Sequence, residues 1–221
     1  MAYESYKARI NSYGGNAQKS MSNITKHSQR QMILNSPTRK TVKINDLTTL
    51  NYCIVSDVDT YLKRRFLFLP DFTIDNGDYI QYEGFTYLVT ERKISPEFPE
   101  AIGELCNFTF PIVVAGTKTS SGVDDFGRPI SYTTNDKIYN LSCVLKTKDN
   151  LTNSIDNSPI PLLEGTMTVK MKYFPNIIPK INYEFTYRNE KYQVVNIFYD
   201  GVINEKGFIE VRLNKVTWGD V

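Results

Sequence analysis

The sequence predicts a mainly β protein: two tandem, related small β-barrel or sandwich modules, preceded by a short helical or extended basic arm. Three observations predict this. Aromatic residues make up 13% of the 221 residues, with 15 Tyr and 12 Phe, and such side chains suit half-buried pleated surfaces. From Thr41 onward, short apolar runs alternate with turn residues at strand-length spacing, the pattern of a barrel or sandwich. The later runs also match the earlier ones at a fixed offset.

Residues 1–45 stand apart from the rest. They hold Lys7, Arg9, Lys19, Lys26, Arg30, Arg39, Lys40 and Lys43 against Glu4 alone, a net charge of +7 in a chain whose total is +2. Such asymmetry points to an arm that meets an acidic partner or nucleic acid. Residues 3–13 can form a short helix stopped by Gly14-Gly15. Residues 16–35 are rich in Gln, Ser and Asn, with few apolar positions: Met21, Ile24 and the run Met32-Ile33-Leu34. A helix this polar has little face to bury by itself, so it is expected to be mobile in isolation and to be ordered most simply by a partner subunit, with a fold-back onto the chain's own body as the alternative. Ser36-Pro37 then ends any helix.

Strands are expected at 41–44, 52–55, 64–69, 79–83, 85–90 and 104–114. A second series is expected at 137–146, 166–174, 184–187, 191–198 and 207–216. The resulting division is a basic arm over 1–45, a first module over 46–115, a linker loop over 116–136 and a second module over 137–221.

The two series align. With Pro70 placed on Pro175, an offset of 105, Tyr82 falls on Tyr187, Tyr87 on Tyr192, Val89 on Val194 and Ile80 on Phe185. Leu69 meets Phe174, Phe68 meets Tyr173, Cys106 meets Val211 and Phe108 meets Leu213. Gly84 falls on Asn189, and Gly and Asn are the residues that most readily take positive φ in a tight hairpin. Cys53-Ile54-Val55 matches Cys143-Val144-Leu145 at an offset of 90, and the fifteen-residue difference is attributed to the loop 149–165. A duplicated module suggests a scaffold.

Chemistry-bearing constellations are sparse. His27 is the single histidine and lies in the polar arm. Cys53, Cys106 and Cys143 are scattered in apolar runs without metal-ligand spacing and read as buried free thiols of a reducing compartment. No phosphate-cradling glycine motif is present. Asp57 and Asp59 lack the further ligands and glycine of a calcium loop, and Asp124-Asp125 read as turn chemistry before Gly127 and Pro129. No catalytic, cofactor or metal site is therefore expected, and neither a signal peptide nor a membrane span. The expected contacts to partners or DNA are the arm's cations Lys19, Lys26, Arg30, Arg39, Lys40 and Lys43, its apolar Met32, Ile33 and Leu34, and Phe126 and Arg128 of the exposed loop DDFGRPI.

The set SYKARINSYGG, NSPTRKTVKIN, NGDYIQYEGFTYLVTERK, ELCNFTF and DDFGRPI resembles virion proteins of tailed bacteriophages that infect Gram-positive hosts. GDYI, a turn and a YLV strand look like the small β-barrels of phage neck proteins. The resemblance implies a head–tail connector or head-closure protein, assembled in the host cytoplasm and located in the virion neck. Its expected partners are a portal or adaptor protein, tail proteins and further copies of itself in a sixfold or twelvefold ring, with possible non-specific contact to packaged double-stranded DNA and none to a membrane. Rival readings are a tail-terminator, tail-tube or baseplate adaptor protein and, from the aromatic content, a cell-wall glycan-binding or hydrolytic module.

Overall fold

A computed structural model describes Glu4, Tyr6, Lys7 and residues 16–45, 47–58, 60, 62–116, 118–123, 129–133, 136–147 and 166–216. It is mainly β, with two barrel-like sheets and an N-terminal helix, and the chain divides into the units Met1–Cys106 and Asn107–Val221. Helix α1 spans Ala17–Asn35. Asn16 starts it, its Oδ1 accepting the Lys19 N–H at 2.8 Å, which satisfies one of the orphan donors of the first turn. Ser36 ends it in an extended conformation ahead of Pro37. Of the expected helix over 3–13, Glu4, Tyr6 and Lys7 are helical, and the remainder lies outside the described residues.

The first unit contains β1 (Arg39–Ile44), β2 (Leu50–Asp57), β3 (Lys63–Phe68), β4 (Tyr79–Tyr82), β5 (Phe85–Lys93) and β6 (Glu100–Leu105), an antiparallel closed barrel in the order β1-β2-β3-β6-β5-β4. Period-two alternation explains the core. Val42 and Ile44 of β1 and Phe66 and Phe68 of β3 point inward and are buried, meeting Cys53, Ile80, Tyr87 and Val89. Asn45 closes the barrel. Its N–H donates to the Tyr79 carbonyl at 3.0 Å, its Oδ1 accepts the Tyr79 N–H at 3.0 Å, and its Nδ2 donates to Asp78 Oδ1 at 2.7 Å.

The second unit contains β7 (Phe108–Val114), β8 (Lys118–Val123), β9 (Pro129–Thr133), β10 (Lys137–Thr147), β11 (Met167–Lys172), β12 (Glu184–Tyr187), β13 (Glu190–Phe198), β14 (Val202–Ile203) and β15 (Lys206–Lys215). Its main sheet runs β12-β13-β15-β11-β10-β7, with β14 on β15. Strand for strand this is the order of the first unit, opened between its first and fourth strands.

The repeat extends to backbone detail. The hairpin turns Glu83-Gly84 and Arg188-Asn189 have φ of 49° and 83°, and 49° and 65°, the positive pair of a type I′ turn. β5 carries a bulge between Val89 and Glu91, and β13 carries one 105 residues on, between Val194 and Asn196. Gly77 N–H bonds the Val89 carbonyl at 2.7 Å and Asn182 N–H the Val194 carbonyl at 2.8 Å. The return bonds, Val89 to Asp78 and Val194 to Tyr183, are both 2.9 Å. Cys53 pairs with Phe68 as Cys143 pairs with Met171, so the two cysteines are equivalent.

The structure corrects the sequence reading in five places. β1 lies within the first barrel, so its module begins inside the arm assigned to 1–45. The expected strand 104–114 is two strands, β6 and β7, in different units. Asn107 marks the break, its side chain taking the Leu145 N–H at 2.7 Å and donating to the Leu145 carbonyl at 2.9 Å; the boundaries 46–115 and 137–221 move accordingly. Beyond the second hairpin the offset is 110, because the β14 turn adds five residues. Val89 pairs with Gly103 and Val194 with Leu213, which replaces the matches of Cys106 with Val211 and Phe108 with Leu213. On the ladder Phe68 corresponds to Met171, not Tyr173, because β3 and β11 are related by 103 residues. Thirteen of the fifteen extra residues therefore fall between β10 and β11, and two just after β11.

The assigned linker 116–136 also holds structure. β7 pairs with β10 from Cys143–Phe108 to Lys137–Val114. β8 pairs with β9 through Lys118–Thr133, Thr119–Tyr132 and Ser120–Ser131, the same register carried onward. Gly116 N–H bonds Asp136 Oδ1 at 2.9 Å between them. The described strands of the segment thus form a separate two-stranded β-ribbon in register with that hairpin.

A Cβ on Gly103 would lie 2.9 Å from Tyr87 Cβ and 3.2 Å from Phe66 Cε2, both core side chains of the barrel. Gly103→Val is expected to destabilise the first unit by about 1–3 kcal/mol, read as a lower urea midpoint and faster amide exchange in β3, β5 and β6. Unchanged exchange there would contradict this packing.

Candidate interaction surface

Helix α1 meets its own unit along one face. Residues Ser22, Lys26, Gln29 and Ile33 recur every three to four positions and so share a side of the helix. Ile33 is wholly buried and Gln29 nearly so. Ser22 donates to Glu97 Oε1 at 2.6 Å, and Lys26 pairs with Asp71 at 2.6 Å. The Ser22 hydroxyl is the main cause that holds the Glu97 carboxyl below its ordinary value. The arm therefore folds back on its own body, one of the two ways the sequence left for ordering it.

Helical geometry divides the Met32-Ile33-Leu34 run, because successive residues turn by about 100°. Ile33 enters the core, Leu34 is half-buried, and Met32 faces solvent at 49% exposure. Met21 and Ile24 are exposed at 71% and 52% and share Met32's side, with Ser28 between them. The outward stripe Met21–Ile24–Met32 is apolar, flexible at its two methionines, and carried by a helix already fixed by its other face.

The basic cluster is also divided. Arg39 donates to the Leu34 carbonyl at 2.7 Å and stacks over the Tyr52 ring at 4.8 Å, tying the end of α1 to β1 and β2. Lys40 reaches Glu83 at 3.3 Å. The Tyr82 hydroxyl and then Lys40 hold the Glu83 carboxyl below its ordinary value. Lys26, Arg39 and Lys40 thus serve contacts within the chain. Lys19, Arg30 and Lys43 are exposed. Lys43 stands beside Leu50 and Gln81 on the barrel's outer face, in a shallow depression that also includes Thr41, Glu83 and Phe85. Leu50 and Phe85 are more than half exposed. Phe126 and Arg128 lie outside the described residues.

The other sequence candidates fall apart in space. His27 is exposed on α1, Asp57 pairs with Arg64, and Asp59, Asp124 and Asp125 lie outside the described residues. Among the described residues no group of three or more His, Cys, Asp and Glu is arranged to hold a metal, and no helix is long and apolar enough to cross a membrane. Cys53, Cys106 and Cys143 are free thiols.

Sequence reasoning missed the surface that distinguishes the two units, the open edge between β7 and β12. Pro111 in the run FTFPIVV is the signal that could have found it, because proline in a strand belongs at an edge. Comparison with protein-family models, curated proteins and solved structures finds no match for this chain.

Ile33→Ala is expected to cost about 2–5 kcal/mol of helix docking, seen as accelerated amide exchange confined to 17–35; protection there equal to wild type would show that Ile33 does not hold the helix. Burial raises the Cys53 and Cys106 thiols from 9.0 to about 12. The unfolded chain gives up these protons first, so the stability present below pH 9 is lost as pH rises from 9 towards 12. The urea midpoint should fall across that window, and native alkylation at pH 8 should be slow. Alkylation at the unfolded rate would rule out this thiol environment.

Proposed function

We infer that this chain is a structural virion protein of the phage head–tail neck, a head-closure or connector subunit that joins a portal or adaptor protein to the tail and retains packaged DNA. The residues that resemble neck proteins support the reading. The observation that carries it is the outward stripe of α1. A helix docked through its Ser22–Lys26–Gln29–Ile33 face leaves Met21, Ile24 and Met32 in water. Such a face suits helix-in-groove attachment to the portal or adaptor protein. The body supplies a stiff, duplicated barrel on which to mount it. Lys19, Arg30 and Lys43 have the charge for sequence-independent phosphate contact, which would weaken with salt.

The test replaces Ile24 and Met32 by Asp in a phage producing this protein. Both side chains are surface groups, so the purified variant should keep its wild-type melting temperature within a few degrees. Heads are expected to fill but fail to join tails, lowering infectious particles by orders of magnitude. Normal particle yield with the double variant would refute attachment through α1, and electron-microscopic density for the chain in the tail tube or baseplate would move it out of the neck.

A further inference from the structure

We propose that the β8–β9 ribbon of one copy pairs with the open β12 edge of the next, so that the second unit carries both halves of a head-to-tail self-assembly contact. The proposal deepens the ring reading above and rests on it for the presence of further copies.

The donor half follows from the register. β8–β9 is a separate two-stranded sheet, but its pairs Lys118–Thr133 to Ser120–Ser131 keep the register of the β7–β10 pairs Phe108–Cys143 to Val114–Lys137. β8 itself, Lys118–Val123, has six residues, about 20 Å at the rise of a strand. In the first unit the corresponding connection is only 45–49, between β1 and β2. β8 and β9 form a sheet of two strands, and such a ribbon is marginal in water without a further strand or a covering surface.

The acceptor half follows from the repeat. In the first unit Lys43 and Ile44 of β1 pair with Gln81 and Ile80 of β4. The Asn45 N–H points at β4, so by strand alternation the Lys43 N–H does too. Lys40 and Phe108 both face the equivalent cysteines, Cys53 and Cys143, which makes Pro111 the counterpart of Lys43. Proline has no N–H to give. Val113 stands where Asn45 stands, without its amide clamp. Rings still cross the gap, Phe110 to Phe185 at 4.8 Å and Phe108 to Tyr187 at 5.0 Å, yet β12 ends its sheet. Tyr79 turns both its N–H and its carbonyl towards β1. Its counterpart Glu184, and Thr186 two residues on, therefore turn theirs towards the open side, and these are the groups a strand from elsewhere can pair with.

The same chain cannot join its own halves. β7 runs from the Phe108–Tyr187 contact past Phe185 and away from β12, so the ribbon begins beyond the end of that strand. An arm and an acceptor that are different surfaces of one chain make a heterologous contact, which gives a ring when its rotation closes and an open filament when it does not.

Two variants of the full chain test this. In one, residues 115–136 are replaced by Asn-Gly, a two-residue hairpin linking Val114 to Lys137. In the other, Thr186→Pro removes an N–H that faces the open side and spares the β12–β13 ladder. Circular dichroism and thermal unfolding establish that each is folded. Sedimentation over a range of concentrations is expected to show wild-type oligomers and two monomeric variants. An equimolar mixture is the decisive arm: Thr186→Pro keeps its ribbon and the excision variant keeps its edge, so the pair should form a one-to-one dimer that grows no further. If both variants assemble as wild type does, the ribbon contact is overturned and the ring survives through another surface. A wild-type chain that stays monomeric at every concentration overturns both.

Discussion

A backbone donor at one strand position governs how each half of this protein ends. Closing a six-stranded sheet requires the first strand to offer N–H groups to the fourth. Lys43 offers one and Asn45 adds a clamp to Tyr79 and Asp78, so the first unit shuts and its chain turns at once into β2. Pro111 offers none and Val113 cannot clamp. Where the first unit has the short connection 45–49, the second has the separate two-stranded ribbon of β8 and β9. A missing donor at Pro111 and a missing amide at Val113 are the differences in sequence at the position where one sheet closes and the other keeps an edge.

The two units agree more closely in backbone than in side chains. The positive-φ turn, the bulge five residues after it and the loop bonds that support the hairpin recur at a constant offset, because each fixes strand direction and register. Side chains at equivalent points changed wherever packing could be rebalanced. Gly103 makes room for Tyr87 and Phe66, whereas its counterpart Leu213 fills the core of the second unit. Glu83 became Arg188 at the turn itself, where solvent tolerates either charge. Conserved geometry with divergent surface is what a scaffold allows, and it agrees with placing the proposed function in contacts rather than in a reaction site.

Helix α1 belongs to the least secure part of this architecture. Buried Ile33 and Gln29, the Ser22–Glu97 bond, the partly exposed Lys26–Asp71 pair and the Arg39 bond to the Leu34 carbonyl hold it. Its first turn has no acid and its last no base to favour the helix dipole. Elements anchored this lightly open first. In the neck role proposed for the chain, that is an advantage: the helix is ordered before a partner arrives, so little entropy opposes binding, yet its docking can adjust.

By itself the sequence determined the β class, the hairpins and the doubling, since period-two burial, Gly84 and Asn189 at positive φ, and the match of Cys53 with Cys143 are local facts of side-chain chemistry. It also marked the polar helix and the residues of its apolar run. It did not determine which way that run faces, because a 100° turn per residue sends Ile33 inward and Met32 outward only once a barrel lies on one side. Nor did it place Asn107 as the start of a new sheet, or show that the polar stretch after Val114 holds the paired strands β8 and β9, because strand pairing joins residues far apart in sequence and its register is invisible in either strand alone. The division into two related modules was legible from the start. That one of them closes and the other stays open was decided by tertiary structure, where the donor missing at Pro111 meets the strand it would have served.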